Sequence, residues 1–352
     1  MTVPDVLRSL LTAAGPSGYA TAPAAAFRAA CEPLATSVTT DAVGSTVATL
    51  AGTGGEPSVA VMGHIDEIGL IVSHVDDKGF LWFQSVGGWD PQILVGQRVD
   101  VLTRDGAIPG VAGRKPIHLL DEDERKRVPK LKDLHIDVGA ADGDEARARV
   151  RVGDVAVITG EPVAFPNGRL VSRAMDNRIG CFVAYEALRL LASDGAPPGD
   201  FHAVAVNNEE TDFQGSTTTA FALEPDVAIV VDVTHETGAP GVDEKVNGRH
   251  AFGSGPAIGR GATLSPAVFD RLVEAAEAEG IPYTVAASGR STGTDADAVV
   301  KSRAGVPTAS IGVPLRYMHS AVEMVQLDDV LATAQLCAAF ARRLGGDVSF
   351  AR

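Results

Sequence analysis

The stretch Phe201-His-Ala-Val-Ala-Val-Asn-Asn-Glu-Glu-Thr211 contains an apolar run that ends in two adjacent carboxylates, Glu209 and Glu210. The run is typical of a β-strand buried in a sheet. Two adjacent like charges repel each other, and burying either one without a partner costs on the order of several kcal/mol. A cation in front of the pair would remove that cost, whereas a solvent-exposed pair, which is the common case, needs none. Because successive strand side chains point to opposite faces, we expect one glutamate to bind the cation and the other to remain free for proton transfer.

Two further apolar runs end in potential metal ligands. The run Ser58-Val-Ala-Val-Met-Gly-His64 leads to His64 and then to Asp66, and the run Val227-Ala-Ile-Val-Val-Asp232 ends in an acid. A carboxylate beside a metal-binding imidazole fixes its tautomer and raises its basicity. This is the arrangement that the His64 and Asp66 spacing predicts, although His64 taken alone would fit an ordinary loop histidine.

Strands alternate with helical patterns along much of the chain, which predicts an α/β fold with a mostly parallel sheet and helices on both faces. Ligands bind at the carboxyl ends of the strands in such sheets. His64, Glu210 and Asp232 each end a predicted strand. Asp176 and His319 lie in loops beside a strand or helix terminus, and Asp176 alone would also fit a helix N-cap. Two imidazoles and three carboxylates suit a pair of borderline divalent ions, Zn²⁺ first, with Co²⁺ or Mn²⁺ as alternatives.

The pattern of predicted secondary structure changes between residues 71 and 165. Short β patterns separated by glycine-rich turns predict a small β-rich domain inserted into the α/β domain. The α/β domain then comprises residues 1–70 and 166–352. A run of charged residues at 121–132 is predicted to be a solvated loop or helix.

Composition narrows the possible environments and partners. The 352 residues carry a formal net charge of −15, which argues against a nucleic-acid partner because such proteins present a basic face. Cys31, Cys181 and Cys337 show no paired spacing and are predicted to be free thiols in a reducing compartment. Neither a membrane-spanning run nor a clean signal-peptide core is evident, so we expect a cytoplasmic protein without a membrane partner.

The whole chain resembles the cytoplasmic dinuclear-metal aminopeptidases of the glutamyl aminopeptidase and tetrahedral (TET) type, some of which are labelled endoglucanase M-like. The stretch Gly110-Val-Ala-Gly-Arg-Lys-Pro-Ile-His118 is similar to the inserted domain of that family. The motifs that carry the resemblance are Gly63-His64-Ile-Asp66-Glu67-Ile-Gly69, Ala174-Met-Asp176-Asn-Arg178, Asn208-Glu209-Glu210, Val231-Asp232-Val-Thr-His235, Gly293-Thr-Asp295-Ala and Arg316-Tyr-Met-His319-Ser320.

The resemblance implies a role for each candidate residue. His64 and Asp232 would hold one metal ion, Glu210 and His319 a second ion, and Asp176 would bridge the two. Glu209 would be the general base that deprotonates the attacking water, and Asp66 would orient His64. The resemblance assigns no substrate-binding residue. It implies a zinc-dependent hydrolase, with Co²⁺ or Mn²⁺ as other possible ions.

Two positions depart from the family pattern. Many members have a second aspartate after the bridging one, linked by a cis peptide, where this chain has Asn177. The pair of glutamates is usually followed by Val-Gly-Leu, where this chain has Thr211-Asp212-Phe213. Neither change removes a ligand, but both affect the expected metal preference and substrate fit.

The activity that the resemblance implies is the release of N-terminal residues from short peptides. The inserted domain would be a PDZ-like dimerisation domain, and the dimers would assemble into a hollow tetrahedral dodecamer. One alternative is a deacylase or carboxypeptidase of the wider dinuclear zinc hydrolases, although their smaller domain typically follows the glutamate pair. The others are a glycosidase, which would leave the ligand set without a purpose, and a catalytically idle scaffold.

Overall fold

The computed structural model describes residues 2–345 and 348–350. Among these residues no helix is both long and apolar enough to cross a membrane. The three cysteines are buried and free, as predicted. The helices are α1 (Asp5–Thr12), α2 (Thr21–Cys31), α3 (Pro91–Leu94), α4 (Glu122–Lys126), α5 (Gly143–Arg149), α6 (Met175–Asp194), α7 (Glu209–Asp212), α8 (Gln214–Leu223), α9 (Glu244–Asn247), α10 (Pro266–Glu279), α11 (Ala296–Val299) and α12 (Leu327–Arg343).

The strands form one large sheet and one closed barrel. The strands of the large sheet are β1 (Ser37–Thr40), β2 (Thr46–Leu50), β3 (Val59–His64), β10 (Val163–Phe165), β11 (Arg169–Ser172), β12 (Phe201–Val206), β13 (Val227–His235), β14 (Ala257–Gly261), β15 (Thr284–Ser288), β16 (Thr308–Arg316) and β17 (Glu323–Gln326). The strands of the barrel are β4 (Gly69–Val75), β5 (Phe80–Val86), β6 (Arg98–Thr103), β7 (Gly106–Arg114), β8 (Leu134–Asp137) and β9 (Val155–Ile158).

The large sheet is mixed, with the order β1-β2-β12-β3-β13-β16-β17-β11-β10 and with β14 and β15 branching from β16. The four central strands β12, β3, β13 and β16 are parallel. The strands outside this group pair with it antiparallel. The prediction of a mostly parallel sheet therefore holds for the centre of the sheet, where the carboxyl ends of parallel strands meet at one edge, and not for its outer strands.

Strand β3 is buried along its whole length, which explains its continuous apolar sequence. Its alternate residues Val59 and Val61 belong to a hydrophobic cluster that includes buried residues of α6, α10 and α12. Ala60 and Met62 belong to another cluster, with Ala220 of α8. The strand that ends in His64 is therefore fixed by packing on both of its faces.

The barrel has the order β4-β5-β8-β7-β6-β9 and encloses its own hydrophobic cluster. The barrel coincides with the segment predicted to be an inserted β-rich domain, except that its first strand begins at Gly69, two residues before the predicted boundary at residue 71. Strand β10, also inside the predicted segment, pairs with β11 of the large sheet. The charged run at 121–132 contains the short exposed helix α4, as predicted.

A buried ion network joins the end of α1 to the start of α6. The Arg178 side chain is fully buried and donates hydrogen bonds to the carbonyls of Leu10 and Ala13. It also donates to the Glu67 carboxylate at 2.7 Å, and Arg173 donates to the other oxygen of Glu67. Burial alone would raise the pKa of Glu67, but Arg173 and Arg178 outweigh it and lower that pKa.

Replacing Arg178 by leucine is expected to lower the free energy of unfolding by about 3–5 kcal/mol, because it removes one partner of a buried ion pair and leaves backbone carbonyls unpaired. Urea unfolding of the two proteins measures this loss. Arg271→Leu is the matched control, since Arg271 is half exposed and pairs with Glu274 at the surface; it should cost less than about 1 kcal/mol. Equal losses of unfolding free energy in the two variants would contradict a larger contribution from the buried ion network than from a surface ion pair.

Candidate metal centre

The predicted ligands lie together at the carboxyl edge of the parallel strands. His64 ends β3, Asp232 lies near the end of β13, and Glu210 follows β12. His319 lies in the loop after β16, and Asp176 lies at the start of α6. All five residues predicted as ligands therefore meet at one edge of the sheet, with Glu209 and Asp66 beside them.

One half of the centre is built around His64, which is 1% exposed. Its Nε2 atom lies 3.1 Å from Oδ1 of Asp176 and 4.0 Å from Oδ1 of Asp232. Oε2 of Glu209 lies 3.8 Å from the same nitrogen. The other ring nitrogen, Nδ1, donates to the backbone carbonyl of Asp66 at 3.2 Å, which aims Nε2 at the carboxylates.

The other half is built around His319. Its Nε2 atom lies 3.5 Å from Oδ2 of Asp176 and 3.5 Å from Oε1 of Glu210. Its Nδ1 atom donates to the carbonyl of Gly88 at 2.7 Å, which fixes the ring. The two oxygens of Asp176 thus face two different imidazoles, as a bridging ligand would.

The two adjacent glutamates do not lie on the strand, which corrects the basis of the sequence prediction. Strand β12 ends at Val206, Asn208 has a left-handed backbone with φ of 63°, and Glu209 and Glu210 begin α7. Asparagine tolerates this conformation more readily than most residues, so it can redirect the chain here. The side chains still separate, Glu209 toward His64 and Glu210 toward His319, because they diverge around a helical turn.

The carboxylate of Asp66 holds the two glutamates, and its backbone carbonyl holds the His64 ring. Its carboxylate accepts hydrogen bonds from the backbone N–H groups of Glu209 and Glu210, both at 3.3 Å. The carboxylate lies 3.9 Å from Nδ1 of His64, beyond a hydrogen bond, and the backbone carbonyl makes the bond to the ring. The predicted orientation of His64 by Asp66 thus comes from the main chain of that residue.

Sequence reasoning missed two groups that support the centre. The carbonyl of Gly88, which fixes His319, lies in the segment after barrel strand β5, and nothing in the sequence marks this contact. The buried carboxylate of Glu323 accepts the backbone N–H groups of Asp176 and His319. A carboxylate directly before Met324-Val325, four residues after His319, was the available signal.

The centre carries more buried negative charge than its imidazoles balance. Burial, with Asp232, Asp295 and Glu210 nearby, raises the pKa of Glu209 to about 9. Burial also raises the pKa of Glu210 and, strongly, that of Asp232. Carboxylates with pKa values this high call for a compensating positive charge.

The pKa values of the two imidazoles are also raised, which favours their charged forms. Contacts with Asp176 and Glu210 raise the pKa of His319 to about 11. Burial alone would lower the pKa of His64, but Glu209 and Asp176 outweigh it and raise that pKa. Burial alone would raise the pKa of Asp176, but its contacts with His319 and His64 outweigh it and lower that pKa. Both rings are therefore held at anionic groups, where a metal ion would replace their protons.

The donor set fits divalent metal. Two sets of three donors lie close enough to share an ion, namely His64 with Asp176 and Glu210, and His64 with Glu209 and Asp232. Ligands about 2.0–2.2 Å from a tetrahedral ion lie about 3.3–3.6 Å apart. The separations of 3.1–4.0 Å between each imidazole nitrogen and its carboxylates bracket this spacing. Imidazole and carboxylate together suit borderline ions such as zinc.

The stability of metal-stripped protein is expected to fall as the pH rises from about 5 to about 9. Glu209 and His319 have raised pKa values, so the folded chain binds more protons than the unfolded chain in this range, and the free energy of unfolding decreases with pH. Asp176 acts in the opposite direction, but below its ordinary pKa of 3.8. Thermal unfolding at pH 6 and pH 9, with and without added Zn²⁺, measures the effect.

The Zn²⁺-loaded protein is the control for this pH dependence, because groups elsewhere titrate alike in both samples and bound metal takes the place of the protons. The melting temperature of the stripped sample should fall relative to the loaded sample on going from pH 6 to pH 9. A constant difference between the two samples would contradict the expected proton uptake at the centre.

An open cleft of about 530 Å³ leads to the centre. A second pocket of about 830 Å³ adjoins it and shares Phe213 and Gly293 with its wall, but contains none of the predicted ligands. The residues that line the first cleft are His64, Gly88, Asp176, Glu209, Glu210, Thr211, Phe213, Asp232, Val233, Thr234, His235, Thr292, Gly293, Thr294, Met318 and His319. All five predicted ligands thus line a cleft that is open to solvent.

Comparison with known proteins finds relatives that match nearly the whole chain. The lysyl aminopeptidase of Pyrococcus furiosus is 33% identical over 314 residues, which cover 88% of each chain. The structure of a TET aminopeptidase from a marine sediment Thaumarchaeota archaeon superposes with a TM-score of 0.91 at 33% identity, covering 97% of this chain and 96% of that chain. The TET1 peptidase of Pyrococcus horikoshii, described as assembling into a tetrahedron or a large octahedral shell, gives a TM-score of 0.85 at 29% identity, with 97% and 99% covered.

A family model described as M42 glutamyl aminopeptidase matches residues 44–336. The match includes all five predicted ligands, both glutamates of the pair and the barrel. This chain belongs to the M42 glutamyl aminopeptidase family, and it is a peptidase.

Proposed function

We propose that this protein is a two-metal aminopeptidase that removes N-terminal residues from short peptides. The observation that carries the proposal is the position of Asp176, whose two carboxylate oxygens face the Nε2 atoms of His64 and His319 at 3.1 and 3.5 Å. Each of these imidazoles also faces a carboxylate of its own, Asp232 for His64 and Glu210 for His319. This arrangement suits two ions that share Asp176 better than it suits a single ion. The family membership supports the peptidase activity.

The ligands divide between two ions in this proposal. His64 and Asp232 would hold one ion, Glu210 and His319 would hold the other, and Asp176 would be shared between them. Zn²⁺ is the preferred ion, with Co²⁺ or Mn²⁺ as alternatives, because the donors are imidazole nitrogen and carboxylate oxygen. When bound, such ions supply Lewis-acid chemistry, acidifying a water and polarising a peptide carbonyl.

Glu209 is proposed to accept the proton of the attacking water. It lines the cleft, and its Oε2 lies 3.8 Å from Nε2 of His64. Only the ionised carboxylate can accept a proton, and positive charge in the centre favours that form over the protonated form that burial favours. The backbone of Glu209 is held by Asp66, so the side chain projects from a fixed point.

Hydrolysis of aminoacyl-p-nitroanilides tests the proposed activity. Turnover of compounds with a free α-amino group, and none of their N-acetylated counterparts, is the expected result. A deacylase or carboxypeptidase would instead act on N-acylated amino acids or at the C-terminus of a peptide. An inactive protein that binds peptides would support the scaffold alternative. A panel of N-terminal residues in the same assay would define the preferred substrate.

We also propose that the barrel mediates assembly, as a PDZ-like dimerisation domain of residues 71–165 inserted into a catalytic domain of residues 1–70 and 166–352. Ile117, Leu119 and Val128 in this segment are each more than half exposed, and a contact between subunits would remove this apolar surface from water. The Pyrococcus horikoshii relative is described as a shell-forming assembly. Light scattering should detect dimers or a tetrahedral dodecamer, and a monomer at micromolar concentration would contradict this proposal.

A further inference from the structure

Glu323 is a buried carboxylate that holds two of the proposed ligands by their backbones. Glu323 is the first residue of β17 and is 2% exposed. Oε1 accepts a hydrogen bond from the backbone N–H of His319 at 2.8 Å, and Oε2 accepts one from the backbone N–H of Asp176 at 3.0 Å. The two N–H groups come from different segments, the loop after β16 and the start of α6. Glu323 therefore fixes the spacing between a bridging ligand and a terminal ligand.

The His319 half of the centre depends on this contact more than the His64 half does. His64 belongs to the buried strand β3 and is paired in register with Val206. The His319 side chain is 33% exposed, and its backbone has a left-handed φ of 58°, a conformation that few non-glycine residues adopt and that surrounding contacts must maintain. The ring of His319 is held by Gly88 and faces Asp176 and Glu210, whereas its backbone N–H is held by Glu323.

Asp176 has a second anchor that does not involve Glu323. The neighbouring side chain, Asn177, donates to the carbonyl of Val231 at 2.8 Å and accepts the backbone N–H of Gly180 at 3.0 Å. This asparagine stands where many family members have aspartate, and its amide can donate to the carbonyl, which a carboxylate cannot do. The start of α6 is thus tied to β13 even if its bond to Glu323 is lost.

We propose that Glu323 is a positioning residue for the ion held by Glu210 and His319, and that it has little influence on the ion held by His64 and Asp232. Glu323 does not touch either proposed ion site directly. It acts by holding the backbone of His319 where the ring can face Asp176 and Glu210 together. The inference rests on the proposed two-ion centre.

Calorimetric titration of metal-stripped protein with Zn²⁺ tests this asymmetry. The wild-type chain should show two binding events. In Glu323→Gln the amide nitrogen faces one of the two N–H groups and cannot accept its hydrogen bond. We expect one event to weaken by about 10- to 100-fold, which is typical when a partner behind a metal ligand is changed, while the other event stays within about threefold of wild type.

Asp329→Asn is the matched control. Asp329 is also 2% exposed, and its two carboxylate oxygens accept the backbone N–H groups of Gly253 and Gly255 at 2.9 and 2.8 Å. This variant disturbs the same kind of buried contact without touching a proposed ligand. It should leave both Zn²⁺ affinities unchanged even if it lowers the melting temperature.

The outcomes separate the inference from the proposed function. A single event in the wild-type protein would contradict the two-ion centre itself. Two wild-type events that both survive in Glu323→Gln, or that weaken equally, would overturn the positioning role and leave the proposed function intact. If Glu323→Gln does not fold, Glu323→Asp replaces it, because the shorter carboxylate keeps its charge but cannot span both N–H groups; the same selective loss is expected.

Discussion

Replacing Glu209 by glutamine is expected to lower turnover by about 10²- to 10⁴-fold while both metal ions remain bound. The amide cannot accept the proton of the attacking water, and loss of a general base has an effect of this size. The corresponding loss of transition-state stabilisation is about 3–5 kcal/mol. The KM should change much less, because the proton moves only on the way to the transition state. Steady-state kinetics of the purified variant measures the loss of turnover, and elemental analysis measures the retention of metal.

Glu210→Gln is the control with the same chemical change one residue away. Glu210 faces His319 at 3.5 Å and is proposed as a ligand, so its neutral amide should weaken the binding of one ion. This variant should lose metal, and excess Zn²⁺ should restore part of its activity. Loss of metal from the Glu209 variant together with retention in the Glu210 variant would show that the two roles are reversed.

Removal of divalent metal is expected to abolish peptide hydrolysis. The centre contains four carboxylates and two imidazoles, and the pKa values of Glu209, Asp232 and His319 are raised far above their ordinary values. Dialysis against a strong chelator should reduce turnover to background, and Zn²⁺ or Co²⁺ should restore it. A sample treated in parallel without the chelator controls for losses during dialysis. Full turnover in a sample verified to be free of metal would contradict the proposed chemistry.

The convergence of the proposed ligands at one edge of the sheet could be predicted from the sequence because several of them follow apolar runs. His64 ends β3 and Asp232 lies near the end of β13, both in the parallel group, so one topological rule was enough to bring them together. The outer part of the sheet could not be predicted in the same way. Apolar patterns show that a strand is buried but not which neighbour it pairs with, and β2 and β17 pair antiparallel with the central group.

The supporting contacts were missed because they involve backbone groups. Asp66 and Glu323 each accept two backbone N–H groups of site residues, and Gly88 contributes only its carbonyl. Side-chain patterns do not reveal such bonds, since every residue has the same main chain. The turn at Asn208 was missed for a related reason. Its left-handed backbone places Glu209 and Glu210 on a helical turn, whereas the apolar run before them resembled a strand that continued.

Adding Zn²⁺ back to metal-stripped protein, with bound ions per chain and turnover measured on the same samples, tests the two-metal hydrolysis most directly. We expect saturation at two ions per chain and full turnover only when both are bound. Maximal turnover with one ion per chain, or with none, would contradict a centre in which Asp176 bridges two metal ions.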